Sequence, residues 1–168
     1  MTVIPLRKEV SRAPQRAAVV RAAVLADVPA LEQLIAPHVV SGDLLPRSRY
    51  DFCRHVREYH VAVAPDGAIV GCVALKVYSL ELGELGALAV RDEHQGHGVG
   101  RALVKAVLAD AAEQGLREVF ALTRKPLFFT RMGFSSAERE HFPLKVWADC
   151  QKCPRQDACD EIAVTIKV

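Results

Sequence analysis

The period of the apolar positions changes several times along the chain, and each change marks an element. The stretch "AAVVRAAV" is an unbroken apolar run around Arg21 and reads as a strand. Asp27 then stands as the N-cap of a helix whose apolar positions Val28, Leu31, Leu34 and Ile35 recur at helical spacing. After the turn-rich "SGDLLPRSR", a second helix is expected in "SRYDFCRHVREYH", with Phe52, Val56 and Tyr59 on one face. "HVAVA" and "AIVGCVALKVY" are β-branched runs joined by "PDG", the pattern of a β-hairpin. A fourth strand, "GELGALAV", enters the glycine-rich "RDEHQGHGVGR", and a helix from about Val99 to Gln114 leaves it, with Gly115 placed to end it. "REVFALT" is the next strand, "KPLFFTRMGF" a short helix ending near Gly133, and "DEIAVTIKV" a closing strand. Strands and helices in this order make a mixed α/β sheet, not a regularly alternating doubly wound one.

The remaining features narrow the class. With 168 residues, 51% of them hydrophobic, the chain has the size of one domain with a single core. Residues 1–16 are basic and aperiodic and read as a flexible leader, leaving 17–168 as the domain. No run approaches the length of a membrane helix and the start lacks a signal-peptide pattern, so a soluble cytoplasmic protein is expected. Lys and Arg number 22 against 20 Asp and Glu, a balance that argues for neither nucleic acid nor membrane as partner.

Three glycines in five residues, Gly96, Gly98 and Gly100, lie between a strand and a helix. Such a unit directs free backbone N–H groups and the positive end of a helix dipole at one spot, which suits an anion, usually phosphate. The loop closes with Gly100-Arg101-Ala102 and so lacks the Lys-Ser/Thr of a Walker loop, and its G-x-G-x-G spacing is out of register with the dinucleotide fingerprint. A tight strand-to-helix connection without ligand remains open from the loop alone.

The segment "LAVRDEHQGHGVGRALV" resembles the acyl-CoA motif of the GNAT N-acetyltransferase superfamily, with Gln95, Gly98 and Gly100 in the matching places. "FALT" and "FFTRMGF" look like that superfamily's fifth strand and following helix, and "VVRAAVLADVPALEQLI" like its opening. The resemblance spans about residues 18 to 135 and implies the GNAT fold: a mixed sheet of about six to seven strands flanked by about four helices, with acetyl-CoA between the fourth and fifth strands. It implies that Gln95, Gly96, His97, Gly98, Val99, Gly100 and Arg101 hold the pyrophosphate by backbone N–H groups, and that Leu88 and Val90 pair with the pantetheine arm. Leu88 or Ala89 would supply the oxyanion donor. Arg101, Lys105, Arg124 and Lys125 are candidates for the remaining phosphate charge. Phe129 stands where the superfamily often has a tyrosine that protonates the leaving thiolate, so Phe128 and Phe129 are expected to pack against pantetheine or core; Tyr78 is a candidate substitute acid that nothing in the sequence positions.

A narrower resemblance concerns the acceptor. "LPRSRYDFCRHVREYHVAV", "IVGCVALKVY", "GELGALAV" and "FALTRKPLFFTRMGF" are similar to the acetyltransferase domain of bacterial N-acetylglutamate synthases, in a short single-domain form. This implies acetylation of the α-amine of L-glutamate, the first step of arginine biosynthesis. Arg47 and Arg49, with Lys76 and Arg124, are the cations expected on the acceptor's carboxylates. Glu84 is expected as the general base, with Glu81 in reserve. The alternatives are acetylation of another small amine or a protein N-terminus, or a degenerate acetyl-CoA-binding regulatory module. A homodimer is a further expectation from the superfamily.

Five cysteines, an odd number, argue against a disulfide framework. Cys150, Cys153 and Cys159 make C-x2-C-x5-C within a polar segment at 141–160. Three readings stand: reduced packing thiols, a structural zinc clip with His141 or Asp160 as fourth ligand, and a redox-sensitive pair.

Overall fold

The computed structural model describes residues 17–168, with the side chains of 145–147 excepted, and the leader expected at 1–16 lies outside the described residues. The chain opens with β1 (Val19–Ala22), α1 (Val28–Val40), α2 (Arg49–His55), β2 (Tyr59–Val63), β3 (Ile69–Val77) and β4 (Leu82–Val90). It continues through α3 (Val99–Glu113), β5 (Glu118–Thr123), α4 (Pro126–Thr130), β6 (Ser135–Ala137), α5 (Pro143–Ala148) and β7 (Ile162–Lys167). The strands form one seven-stranded sheet in the order β1-β2-β3-β4-β5-β7-β6. Every neighbouring pair is antiparallel except β4 and β5, which are parallel and joined through α3. The mixed sheet expected from the element order is therefore observed. Among the described residues no helix is long and apolar enough to cross a membrane.

Helices cover both faces of the sheet, which explains the unbroken apolar character of β3. Its first seven residues are all buried, as expected for a strand sandwiched between two layers. On one face α3 lays Leu103, Val104, Val107 and Ala111 against Val73, Leu75, Leu85 and Val119. On the other, α1 and α2 bring Leu31, Leu34, Ile35 and Phe52 onto Tyr59, Val61, Cys72 and Ala74. Burial pushes the Cys72 thiol up to about 12.

Two local expectations need correction. Asp27 does not cap α1 with its side chain: its carboxylate accepts the Val24 N–H at 2.8 Å, closing a 3-10 turn over Leu25–Asp27, and takes Arg21 at 2.6 and 2.9 Å. The Arg21 guanidinium holds the Asp27 carboxyl below the usual carboxylate range. The second helix ends at His55, and a 3-10 turn at Val56–Glu58 leads Tyr59 into β2. Phe52 and Tyr59 still meet, with ring centroids 5.6 Å apart, so the apolar face was read correctly while the element was not.

Candidate active site

The site begins with a split in the sheet. The β4–β5 ladder pairs Leu82, Gly83 and Glu84 with Glu118, Val119 and Phe120, and it ends at Glu84 and Phe120. The two strands run on to Val90 and Thr123. A register shift in the β3–β4 ladder marks a bulge on β4 opposite Val73, and Ala87 within it has φ +50°. A bulge takes one residue's backbone groups out of the ladder and turns the strand. The opening expected between the fourth and fifth strands is thus produced by β4 bending away from β5.

The floor of this opening ends in the glycine loop. Gly96 and Gly98 have φ +75° and +83°, values that favour glycine, and Gly98 is the N-cap of α3. The first helical bond runs from the Ala102 N–H to the Gly98 carbonyl at 3.0 Å. The N–H groups of Val99, Gly100 and Arg101 belong to the first turn, where a helix has no carbonyl to offer them. Gln95 folds the loop back on β4, its Nε2 donating to the Val90 carbonyl at 3.0 Å and to Asp92 Oδ1 at 2.9 Å. At Gly100 an added Cβ would sit 3.4 Å from Phe128 Cζ, so helix and ring approach closely there.

A cleft of about 780 Å³ runs from this loop along β4. Leu88, Ala89, Val90, Gln95, Gly96, Gly98, Gly100, Arg101 and Phe128 all line it, as do Lys125 and Phe129. His97, Val99 and Lys105 do not: His97 turns Nδ1 to the Gln95 carbonyl at 2.8 Å, and Val99 packs into the core. Arg131, after α4, supplies a cation to the lining that the sequence reading did not name.

Glu84 stands opposite Lys76 of β3 and Val90 opposite Gly71, five steps of β3 away, or about 17 Å at about 3.3 Å per residue. It is only 3% exposed. Tyr78 Oη donates to Glu84 Oε2 at 3.0 Å, and Lys76 Nζ stands 3.5 Å from the same oxygen. Burial, reinforced by the Glu84 carboxylate, raises the Tyr78 hydroxyl far above its ordinary value, so it stays a donor. Lys76 also donates to Asp149 at 2.6 Å. Glu81, the reserve base, sits at the exposed strand entrance beside Arg117, 3.3 Å away.

The acceptor cations divide. Arg47 lines the same cleft as Lys76 and Glu84. Arg49 is not brought in: Ser48 caps α2, and Arg49 in its first turn reaches Glu32 of α1 at 2.7 Å on the exposed side. Arg124 lines the cleft but is bound by the Asp43 and Asp160 carboxylates, the latter at 2.7 Å. Asp43, Asp149, Arg139 and Arg155 complete this part of the wall. The Lys76–Asp149 and Arg124–Asp43 pairs join residues more than seventy positions apart, and no local pattern announces them.

The zinc reading of the cysteines finds no support. Among the described residues no group of three His, Cys, Asp or Glu side chains is arranged to hold a metal ion. Arg139 instead bonds both Cys150 and Cys159, and a guanidinium between two sulfurs is the wrong neighbour for a second cation.

The profile of the Acetyltransferase (GNAT) family matches residues 28–134, which include the split strands, the glycine loop and α3. The chain belongs to this family. It is accordingly an acetyl-CoA-dependent N-acetyltransferase, and the left-handed glycines, the open helix terminus and the unpaired stretch of β4 fit that co-substrate. An N-acetyltransferase of Chlorobaculum tepidum is 41% identical over 145 residues, covering 86% of this chain and 93% of that protein. The amino-acid acetyltransferase of Mycobacterium tuberculosis is 40% identical over 122 residues, 71% of this chain and 70% of that one. The N-acetylglutamate synthase of Neisseria gonorrhoeae, complexed with coenzyme A and N-acetyl-glutamate, superposes with a TM-score of 0.79 at 29% identity. That match covers 92% of this chain and 36% of the synthase.

Proposed function

We propose that this protein acetylates the α-amine of a free amino acid, L-glutamate, by direct transfer from acetyl-CoA within a ternary complex. The observation that carries the reading is one cleft with the glycine loop at one end of β4, Glu84 and its partner Lys76 at the other, and Arg47 in the same lining. The resemblance to an amino-acid acetyltransferase, and to a synthase complexed with N-acetyl-glutamate, supports the same acceptor class.

In this mechanism the N–H groups of Val99, Gly100 and Arg101 receive the pyrophosphate, and Arg101, Lys125 and Arg131 add charge to the same end. Leu88 and Val90 pair with the pantetheine arm, as strand edges do with an added strand. Glu84 takes a proton from the acceptor's ammonium, directly or through one water, and Tyr78 holds its carboxylate in place. The freed amine attacks the thioester carbon, a β4 backbone N–H at Leu88 or Ala89 meets the oxyanion, and the C–S bond breaks as the nitrogen gives its second proton to solvent. The thiol leaves as thiolate, which its pKa of about 8.5 allows near neutral pH without the tyrosine that Phe129 replaces.

Arg47 pairs with an acceptor carboxylate. Arg47→Ala is expected to raise the KM for glutamate by about ten- to a hundredfold, the equivalent of about 1.5–3 kcal/mol for a charge-assisted hydrogen bond. Acetyl-CoA binding is expected to be unchanged, and glutamine is expected to be a poorer acceptor than glutamate for the wild type. Steady-state kinetics with both acceptors checks this. Equal use of glutamine, or an unaltered glutamate KM in the variant, would remove glutamate as the acceptor.

A further inference from the structure

Cys150, Cys153 and Cys159 all line the cleft, and acetyl transfer as described makes no use of them. None is disulfide-bonded. They occupy a segment of two successive 3-10 turns, Cys150–Lys152 and Gln156–Ala158. The Cys153 N–H donates to the Cys150 carbonyl at 3.1 Å. A turn closed by such a bond keeps its end Cα atoms within about 7 Å, and a disulfide spans Cα separations of about 4.4–6.8 Å. Both residues also line the one cleft.

Arg139 donates to Cys150 Sγ at 3.9 Å. A fixed guanidinium steadies negative charge on a sulfur, and the thiolate is the form that attacks a disulfide. The segment is also coupled to the transfer end of the cleft. Asp149, directly before Cys150, accepts from Lys76 Nζ at 2.6 Å, and that same Nζ stands 3.5 Å from Glu84 Oε2.

We propose that Cys150 and Cys153 form a thiol–disulfide exchange site that turns acetyl transfer off when oxidised by a small disulfide. The Cys150 thiolate attacks one sulfur of the small disulfide, forming a mixed disulfide and releasing one thiolate, which takes up a proton. The Cys153 thiolate then attacks Cys150 Sγ, forming the Cys150–Cys153 bond and releasing the second small thiol. The two protein thiols lose two electrons and two protons, and the small disulfide is reduced to two thiols. Drawing the sulfurs to about 2.05 Å pulls the turn away from Arg139 and carries Asp149 off Lys76. Lys76 is then left to Glu84 alone, and a cation held on that carboxylate opposes its taking a proton.

The kinetic part rests on acetyl transfer at Glu84 but not on the choice of glutamate. The test is to equilibrate the full chain with glutathione at rising ratios of oxidised to reduced form, remove it, and map the thiols by mass. Acetyl transfer is then measured with the best acceptor found for the reduced protein. The expected result is a Cys150–Cys153 disulfide, a more than tenfold fall in transfer, and recovery with dithiothreitol. In Cys150→Ser the ratio of oxidised to reduced activity should be near one, and in Cys153→Ser the mass map should show a lasting mixed disulfide of Cys150 with glutathione. In Cys53→Ser, which alters an exposed thiol of α2, the wild-type ratio should persist. Cys150 and Cys153 remaining thiols under conditions that modify Cys53 would overturn the proposal. So would a Cys150–Cys159 bond in place of the expected one, unchanged transfer in the oxidised protein, or a wild-type loss of transfer on oxidation in Cys150→Ser. The mapping contains no substrate, so the pairing is read even if the assignment of Glu84 fails.

Discussion

Glu84→Gln is expected to lower kcat by about two to four orders of magnitude, the range a positioned general base contributes. The substitution keeps the shape, and the amide oxygen still accepts from Tyr78 Oη, so the wall of the cleft is retained. The acceptor KM is expected to change only severalfold, because the loss falls on the transition state rather than on binding. The sign of the pH dependence follows from the acceptor. Its amine is mostly protonated at neutral pH, where the variant has no carboxylate to remove the proton, and the free amine accumulates as pH rises. The variant's rate is therefore expected to climb with pH and to recover part of the deficit. A pH profile of kcat for both proteins checks this, and wild-type kcat across the range in the variant would place the base elsewhere.

Gly98→Asp is expected to raise the KM for acetyl-CoA about a hundredfold, or about 2.8 kcal/mol, while the fold survives. The backbone here is left-handed, with φ +83°, and a Cβ built at this position meets nothing within 4 Å. Asp tolerates that conformation better than most side chains and is a favoured N-cap, so α3 keeps its start. Its carboxylate, however, stands at the terminus that is to receive phosphate, and two negative groups there repel. Circular dichroism beside acetyl-CoA titration separates the two effects. A folded variant with wild-type affinity would mean that the loop does not carry the pyrophosphate.

The sheet and its principal helices were legible because burial writes a period into the sequence. Leu103, Val104 and Val107 recur as a helix facing a core must, and the seven-residue buried run of β3 reflects its two covered faces. The glycine loop was legible for a different reason, since Gly96 and Gly98 mark left-handed backbone that other residues avoid. β6 passed unseen: three residues, Ser135–Ala137, at the edge of the sheet offer no alternation to read. Asp27 misled because an acidic residue before an apolar run fits a cap, whereas Arg21 and the Val24 N–H compete for the same carboxylate.

The charged wall of the cleft was the least legible part. Arg47 and Arg49 look equivalent two positions apart, yet only Arg47 lines the cleft, because Ser48 starts α2 between them. Arg124 lies in the expected strand region but is occupied by Asp43 and Asp160, partners that only the folded chain supplies. Asp149 enters from the cysteine-bearing segment and Arg139 from the 3-10 turn just before it, where polar residues without period give no reason to choose one over another. Side chains that meet across the fold carry no mutual signature in a single sequence.

The central claim is tested most directly by supplying acetyl-CoA with each of the twenty L-amino acids in turn, following thiol release and identifying the product by mass. Glutamate is expected to give the highest kcat/KM, with the acetyl group of its product on the α-nitrogen. Binding of acetyl-CoA without acetylation of any amino acid, or a product preference that excludes glutamate, would contradict it.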